Sequence, residues 1–269
     1  GTEVYLIEAQ ENILPIEDID VGKELKNNFE KNGITVLTNT EVLKIESLKT
    51  KVKVFTKRND VEENYQADIA LLAVGVKGNI ENIGLEDLNI KTNASSIEIN
   101  EFNQTNIPNI YAIGDVSGPP WLAHIASAQA HVAVEHSVGY GPKPINYNFI
   151  PSCTYCEPQV GSFGYTEKDA VDAGYDVKIG KFLFSSSGKA MATGHTDGFV
   201  KLVFDGKYGE LLGAHIIGSE ATELIAELCI AKALEGTWED IAMTVHAHPT
   251  LSEAIMEAAL DAFGKAIHR

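Results

Sequence analysis

Residues 139–144, Gly-Tyr-Gly-Pro-Lys-Pro, constrain the fold more than any other stretch of the 269-residue chain. Two glycines and two prolines in six residues suit neither a helix interior nor a central strand, so they mark a linker. The pattern changes across it. Upstream, apolar strand-like runs alternate with helical periodicity, the signature of an α/β arrangement. Downstream, strand candidates at 153–157, 177–184, 198–204 and 211–217 come in succession. Helix candidates at 221–234, 238–245 and 251–267 follow, an α+β order. We therefore expect three stretches, 1–75, 76–144 and 145–269. No internal repeat or low-complexity tract interrupts them.

The upstream part opens with Val4-Tyr5-Leu6-Ile7, a short buried-strand run ending at Glu8. An acid at such a strand end can accept both hydroxyls of an adenosine ribose and would repel a 2′-phosphate; alone, it is also an ordinary solvated residue. Residues 20–32 carry Val21, Leu25 and Phe29 at helical spacing, closed by Asn32-Gly33. A strand at 34–37 and a strand pair at 42–45 and 51–56 follow. Residues 69–74 form a continuous apolar run of the buried parallel type, ending at Gly75. Residues 110–115, Ile-Tyr-Ala-Ile-Gly-Asp, read as a short strand ending in Gly114-Asp115. A lone Gly-Asp reads first as a turn; at a strand end the glycine also lets a ligand approach the backbone. From Trp121-Leu122-Ala123-His124 a helix is expected to about residue 138, and its N-terminus offers N–H groups and positive potential.

Near the C-terminus stands His246-Ala247-His248-Pro249-Thr250-Leu251-Ser252-Glu253, followed by an apolar-periodic run. Neutral imidazole is a base near pH 7, and a carboxylate on its second nitrogen fixes tautomer and orientation. That would make His248 and Glu253 a proton-moving pair. The same letters also spell a capping box, with Thr250 as N-cap and Glu253 three residues on. Residue chemistry alone leaves both readings open.

Composition excludes several classes. With 38 acidic and 21 basic residues the net charge is −17, which opposes nucleic acid or an anionic membrane as partner. No apolar run approaches the roughly 18 residues that span a bilayer, and no signal sequence is visible. Three cysteines are too few for a secreted disulfide framework. Cys153-x-x-Cys156 invites a redox or zinc reading, but residues 152–161 read as extended, where positions three apart face opposite ways. No second ligand pair stands at metal spacing, so no metal is expected, and a reducing compartment such as the cytoplasm fits.

The His-x-His-Pro-Thr-Leu-Ser-Glu motif, Ile7-Glu8-Ala9 with Ile13-Leu14-Pro15, and the Gly114-Asp115 segment together resemble the flavin disulfide oxidoreductases, most closely those that oxidise a dihydrolipoamide. The resemblance extends over nearly the whole chain. It implies that His248 is the base for a dithiol substrate, that Glu253 orients it, and that His246 is structural. It sets Glu8, Val42 and Gly75 along an NAD site, and Glu8 favours NAD over NADP. It makes Asp115 a ligand of the FAD ribityl chain and sets Trp121, Leu122, Ala123 and His124 against the flavin, His124 through its backbone. The family's redox disulfide lies outside Cys153 and Cys156. A homodimer is implied, with the histidine acting in the partner subunit's site. Lipoyl domains of 2-oxo acid dehydrogenase complexes or of the glycine cleavage system are implied as partners.

Two features depart from the pattern. Most members have Gly-Arg-x-Pro-Asn where this chain has Gly75-Val76-Lys77-Gly78-Asn79, so no arginine charge stands there. No Gly-x-Gly-x-x-Gly occurs in the sequence. The chain thus reads as the distal part of a Rossmann-like NAD domain (1–75), an FAD-contacting segment (76–144) and an α+β dimerisation domain (145–269). By itself it is expected to be inactive and to keep neither cofactor. A glutathione or mercuric ion reductase is the nearest alternative, opposed by Leu251, Ser252, Glu8 and the lack of a C-terminal cysteine pair. A non-catalytic dimerisation module is the alternative of a different class.

Overall fold

A computed structural model describes residues 1–268. It divides into two compact units, Gly1–Leu71 together with the chain from Pro151 onward, and Leu72–Ile150. The first unit begins with strand β1 (Tyr5–Ile7), helix α1 (Ile19–Lys31) and strand β2 (Thr35–Leu37). β1 and β2 pair in parallel, Tyr5 against Thr35, so this is a β-α-β crossover. The α1 stripe read from sequence is real: Val21 and Leu25 are buried, and Phe29 packs against the same cluster. Asp18 caps the helix, accepting the Asp20 amide. Strands β3 (Glu41–Ser47), β4 (Val52–Arg58) and β5 (Val61–Ala67) form an antiparallel sheet. The expected strand pair therefore gains a third member, turned at Asn59 and Asp60, both at positive φ.

The apolar run at 69–74 is not the buried parallel strand its composition suggests. It forms no strand, and Ile69, Leu71 and Val74 are 83%, 90% and 92% exposed. A buried parallel strand needs bonded neighbours, and among the described residues β1 and β2 pair only with each other. Apolar character alone cannot bury a strand that has no partner.

The second unit is built mainly of turns around a small core of Leu85, Ile90, Ile97 and Ala112. The strand expected at 110–115 is reduced to a single bridge, Gln104 to Tyr111. It leads into a 3-10 turn, Gly114–Ser117, and then helix α2 (Ala123–Ser137). Residues 139–144 carry no regular structure, as their prolines and glycines require.

The remaining elements return to the first unit. They are β6 (Ser152–Thr154), β7 (Gln159–Gly164), α3 (Glu167–Asp172), β8 (Val177–Leu183), α4 (Gly188–Thr193), β9 (Phe199–Asp205), β10 (Leu211–Gly218), α5 (Ala221–Ala233), α6 (Trp238–Met243) and α7 (Glu253–Ala262). The strands form one antiparallel sheet in the order β6-β7-β10-β9-β8. The single extended segment expected at 152–161 is two strands joined by a turn. The last helix is shorter than the 251–267 expected, starting at Glu253 and stopping before Gly264, which sits at φ +70.

Every residue of β9 and β10 is buried, so both sheet faces are covered. Gly161 and Gly180 mark one face: a Cβ on Gly161 would run into the Ala221 carbonyl of α5, and one on Gly180 into the Ala258 carbonyl of α7. On the other face Val160, Phe199 and Ile217 pack against Val21 and Leu25 of α1.

Candidate functional site

Because α7 lies directly on β8 at Gly180, its first residue, Glu253, is firmly placed. Glu253 uses its two oxygens separately. Oε1 lies 2.9 Å from His248 Nδ1, and Oε2 accepts the Thr250 amide at 2.8 Å. One carboxylate thus holds both the His248 ring and the Thr250 backbone. Thr250 is not the N-cap: that position is Ser252, and the Thr250 hydroxyl turns back to the Ala247 carbonyl at 2.7 Å. The Thr250 amide, and then the His248 ring, hold the Glu253 carboxyl below the usual range. With Nδ1 facing a carboxylate and so carrying the hydrogen, Nε2 is the basic edge. The His248 side chain is 79% exposed, so a substrate can reach it.

His246, two residues earlier, has the opposite environment. Its side chain is 4% exposed, with Nε2 2.7 Å from Glu227 Oε1 on α5 and Nδ1 2.9 Å from the Thr244 carbonyl. Nε2 ties this loop to α5, and Nδ1 braces the loop on itself.

In the second unit, Asp115 sits exposed in the 3-10 turn after Gly114, which has φ +72. Sequence reasoning missed the residue that holds this turn. Gln129 of α2, buried, accepts the Gly114 amide at 2.6 Å through Oε1 and donates to the Tyr147 hydroxyl at 2.9 Å through Nε2. The available signal was a lone amide on the buried stripe of Ile125, Val132 and Ala133. Gly78, in the segment that departs from the family pattern, is packed against this turn. A Cβ there would stand 2.6 Å from the Ser95 carbonyl and 2.9 Å from that of Asp115. Residues Trp121 to His124 form the entrance to α2, where Leu122 as N-cap supplies no side-chain bond to the first turn. Trp121 Nε1 is buried without a hydrogen-bond partner among the described residues. An orphaned donor beside a helix start suits the polar edge of a flavin ring. Asp115, Gly114 and this entrance therefore fit part of an FAD site.

Glu8 follows β1. Its amide donates to the Leu37 carbonyl and its carbonyl accepts from the Thr40 amide, each at 2.9 Å. The end of β1 is thereby held beside the segment leading to Val42, which is itself exposed on β3. Glu8 Oε1 accepts the Gln10 amide at 2.7 Å. Gly75 belongs to the second unit, at φ +117 with open space around its Cα.

Cys153, Cys156 and Cys229 are free thiols. Burial pushes the first two above the usual thiol range and Cys229 up to about 11, which disfavours the thiolate needed for redox or metal chemistry. No metal-binding cluster of His, Cys, Asp and Glu occurs among the described residues. No helix among them is long and apolar enough to cross a membrane.

Residues 1–130 match the family model described as pyridine nucleotide-disulphide oxidoreductase. Residues 150–259 match that of the pyridine nucleotide-disulphide oxidoreductase dimerisation domain. Among curated proteins, the dihydrolipoyl dehydrogenase of Bacillus subtilis is 43% identical over 270 residues, spanning 100% of this chain and 57% of that protein. The Rhizobium etli dihydrolipoyl dehydrogenase is 42% identical over 270 residues, spanning 100% of this chain and 56% of that one. Among solved structures, LpdA from Mycobacterium tuberculosis superposes with a TM-score of 0.88 at 25% identity, covering 96% of this chain and 56% of that one. The chain therefore spans a little over half the length of the curated relatives it matches. Matched by both models and aligned throughout with these relatives, it belongs to the pyridine nucleotide-disulphide oxidoreductase family.

Proposed function

We propose that this chain is the later part of a dihydrolipoyl dehydrogenase, an NAD-dependent oxidoreductase that converts protein-bound dihydrolipoamide to lipoamide. The observation that carries the reading is the exposed His248 ring with Nδ1 held 2.9 Å from Glu253. His248 Nε2 takes the proton from a substrate thiol, and Glu253 keeps Nδ1 protonated and stabilises the imidazolium. Removing that proton matters because the thiolate, not the thiol, attacks a disulfide. FAD, when bound, supplies the electron relay between the thiols and NAD⁺. On this chain Asp115 would accept a ribityl hydroxyl, and residues 121–124 would meet the ring edge. Glu8 would bind the adenosine ribose, and Val42 and Gly75 are nucleotide-binding positions by the same family resemblance.

The three stretches then divide the work: 1–75 for nucleotide, 76–144 for flavin, 145–269 for dimerisation. The partners are a second copy of the chain, whose site His248 enters, and lipoyl domains. A reducing compartment such as the cytoplasm suits three free cysteines. The assay is NAD⁺ reduction by dihydrolipoamide in the full-length protein, with reduced glutathione as the competing substrate. Preference for glutathione would overturn the substrate assignment. For the 269 residues alone, the dimerisation-domain match favours a dimerisation module without turnover.

A further inference from the structure

Lys201 is the single lysine of β9, a strand whose every residue is buried. It belongs to a polar row crossing the sheet, in which Lys181 of β8, Lys201 of β9, His215 of β10 and Ser162 of β7 are register partners. Onto this row come the start of α1 and the start of α3. Lys201 Nζ lies 2.9 Å from Asp18 Oδ1, 3.1 Å from Asp20 Oδ2 and 2.8 Å from Glu167 Oε2. An ammonium has three hydrogens, and each here meets one carboxylate. The side chains of Lys201 and Asp18 are both 1% exposed. Asp20 also receives Lys181 Nζ at 3.2 Å, and the Glu167 amide donates to Asp18 Oδ2 at 3.3 Å. The cluster joins residues matched by the two family models, which meet here through side chains far apart in sequence.

We propose that Lys201 is a positioning residue that latches α1, and the β1–α1 stretch carrying Glu8, onto the dimerisation sheet. The apolar contacts of Val21 and Leu25 hold the helix to the sheet but are non-directional. Two of the charged bonds, to Asp18 and Asp20, converge on the start of its first turn and fix where that turn sits, and the third, to Glu167, ties in the start of α3. Without the ammonium, carboxylates would be left unneutralised in a buried site, a strongly unfavourable state. Lifting the α1 start into water relieves it with the least disruption, so the response is local opening rather than global unfolding. The consequence for Glu8 rests on the nucleotide reading above; the latch does not.

Hydrogen exchange on the 269-residue chain tests it, comparing wild type, Lys201→Met and Asp18→Asn. Asparagine retains an acceptor for the Asp20 amide, so Asp18→Asn removes the charge while sparing the cap. Exchange across residues 12–31 should rise at least about tenfold in Lys201→Met and less in Asp18→Asn, with β9 and β10 within about twofold of wild type. Acid provides a third arm. The groups facing one another are Asp18 and Asp20 of α1, Glu167 of α3, Lys181 of β8, Lys201 of β9 and His215 of β10. Burial pushes Asp18 and Asp20 up, but the bonds to Lys201, with Lys181 on Asp20, outweigh it, and both carboxyls sit below the usual range. The latch should therefore hold through the ordinary carboxylate range and release only below it. Wild-type protection of α1 in both variants would overturn the proposal, as would simultaneous loss of protection in α1, β9 and β10. If Lys201→Met does not fold, Asp18→Asn decides by the same two criteria.

Discussion

Glu253 carries two bonds on two oxygens, which separates the outcomes of substituting either member of the pair. In the full-length protein, His248→Gln removes the base and should lower dihydrolipoamide turnover by roughly 10²–10⁴. Glu253→Gln keeps an acceptor for the Thr250 amide but turns an NH₂ toward His248 Nδ1. It disturbs the tautomer without deleting the ring, and a smaller loss is expected. Unchanged turnover in His248→Gln would remove this residue from the mechanism. The pair also has a defined pH response. The Glu253 carboxyl is held below its ordinary value of 4.5, so its contribution is fully present above that value and disappears as pH falls through the lower folded value. Histidine NMR signals should show the Nδ1 contact with Glu253 persisting below pH 4.5. Loss of that contact well above this pH would mean that the carboxylate is not held as described.

The same pair depends on how α7 meets β8. Gly180 is where the helix backbone lies on the strand, and a Cβ would strike the Ala258 carbonyl and stand 2.8 Å from the Ala262 amide. Backbone cannot step aside as a flexible side chain would. Gly180→Ala should thus destabilise by about 1–3 kcal/mol or more, read as a lower urea midpoint. Gly188→Ala is the control: it opens α4 with nothing within 4 Å of the added carbon, and should be neutral to mildly stabilising. Equal midpoints for the two variants would contradict this packing. Elements with strong local patterns were readable from sequence: the α1 stripe, the β9 and β10 apolar runs, and the His248–Glu253 spacing. Elements that owe their state to partners were not. The run at 69–74 has strand composition without a strand beside it. Strand β5, Val-Glu-Glu-Asn-Tyr-Gln-Ala, is polar and is fixed by β4 and the Asn59-Asp60 turn. Gln129 and Lys201 are polar residues in otherwise mostly apolar buried stripes; their partners, Gly114 and Asp18, are distant in sequence, so no local pattern links them.

At the scale of the whole chain, charge and exposed apolar surface act in opposition. A net charge of −17 keeps copies apart, while Ile69, Leu71, Leu72, Val74 and Val76 lie exposed within eight residues of sequence, a run that favours association. Raising salt screens only the repulsion, so the 269-residue chain should become more prone to aggregate with ionic strength, and Leu71→Lys with Val74→Lys should suppress this. Light scattering that is flat with salt, or unchanged in the double variant, would count against that run as the sticky surface. Cofactor retention follows from a similar balance. On the function proposed above, the chain would offer a flavin the Asp115 turn and the α2 entrance, but its sequence has no glycine-rich loop for a pyrophosphate. One hydrogen bond contributes about 1 kcal/mol net, or about 1.5–3 kcal/mol if charged. Association costs several times that, at least about 4 kcal/mol. The purified chain should therefore be colourless and inactive, yet still dimerise through residues 150–259, which match the dimerisation domain and hold the five-stranded sheet with its own helices. Visible absorption and sedimentation velocity examine the two halves of this expectation separately. Retained yellow flavin would show that the Asp115 side of the site binds far more strongly than its contacts allow, and a strict monomer at micromolar concentration would show that the dimer surface needs residues outside this chain.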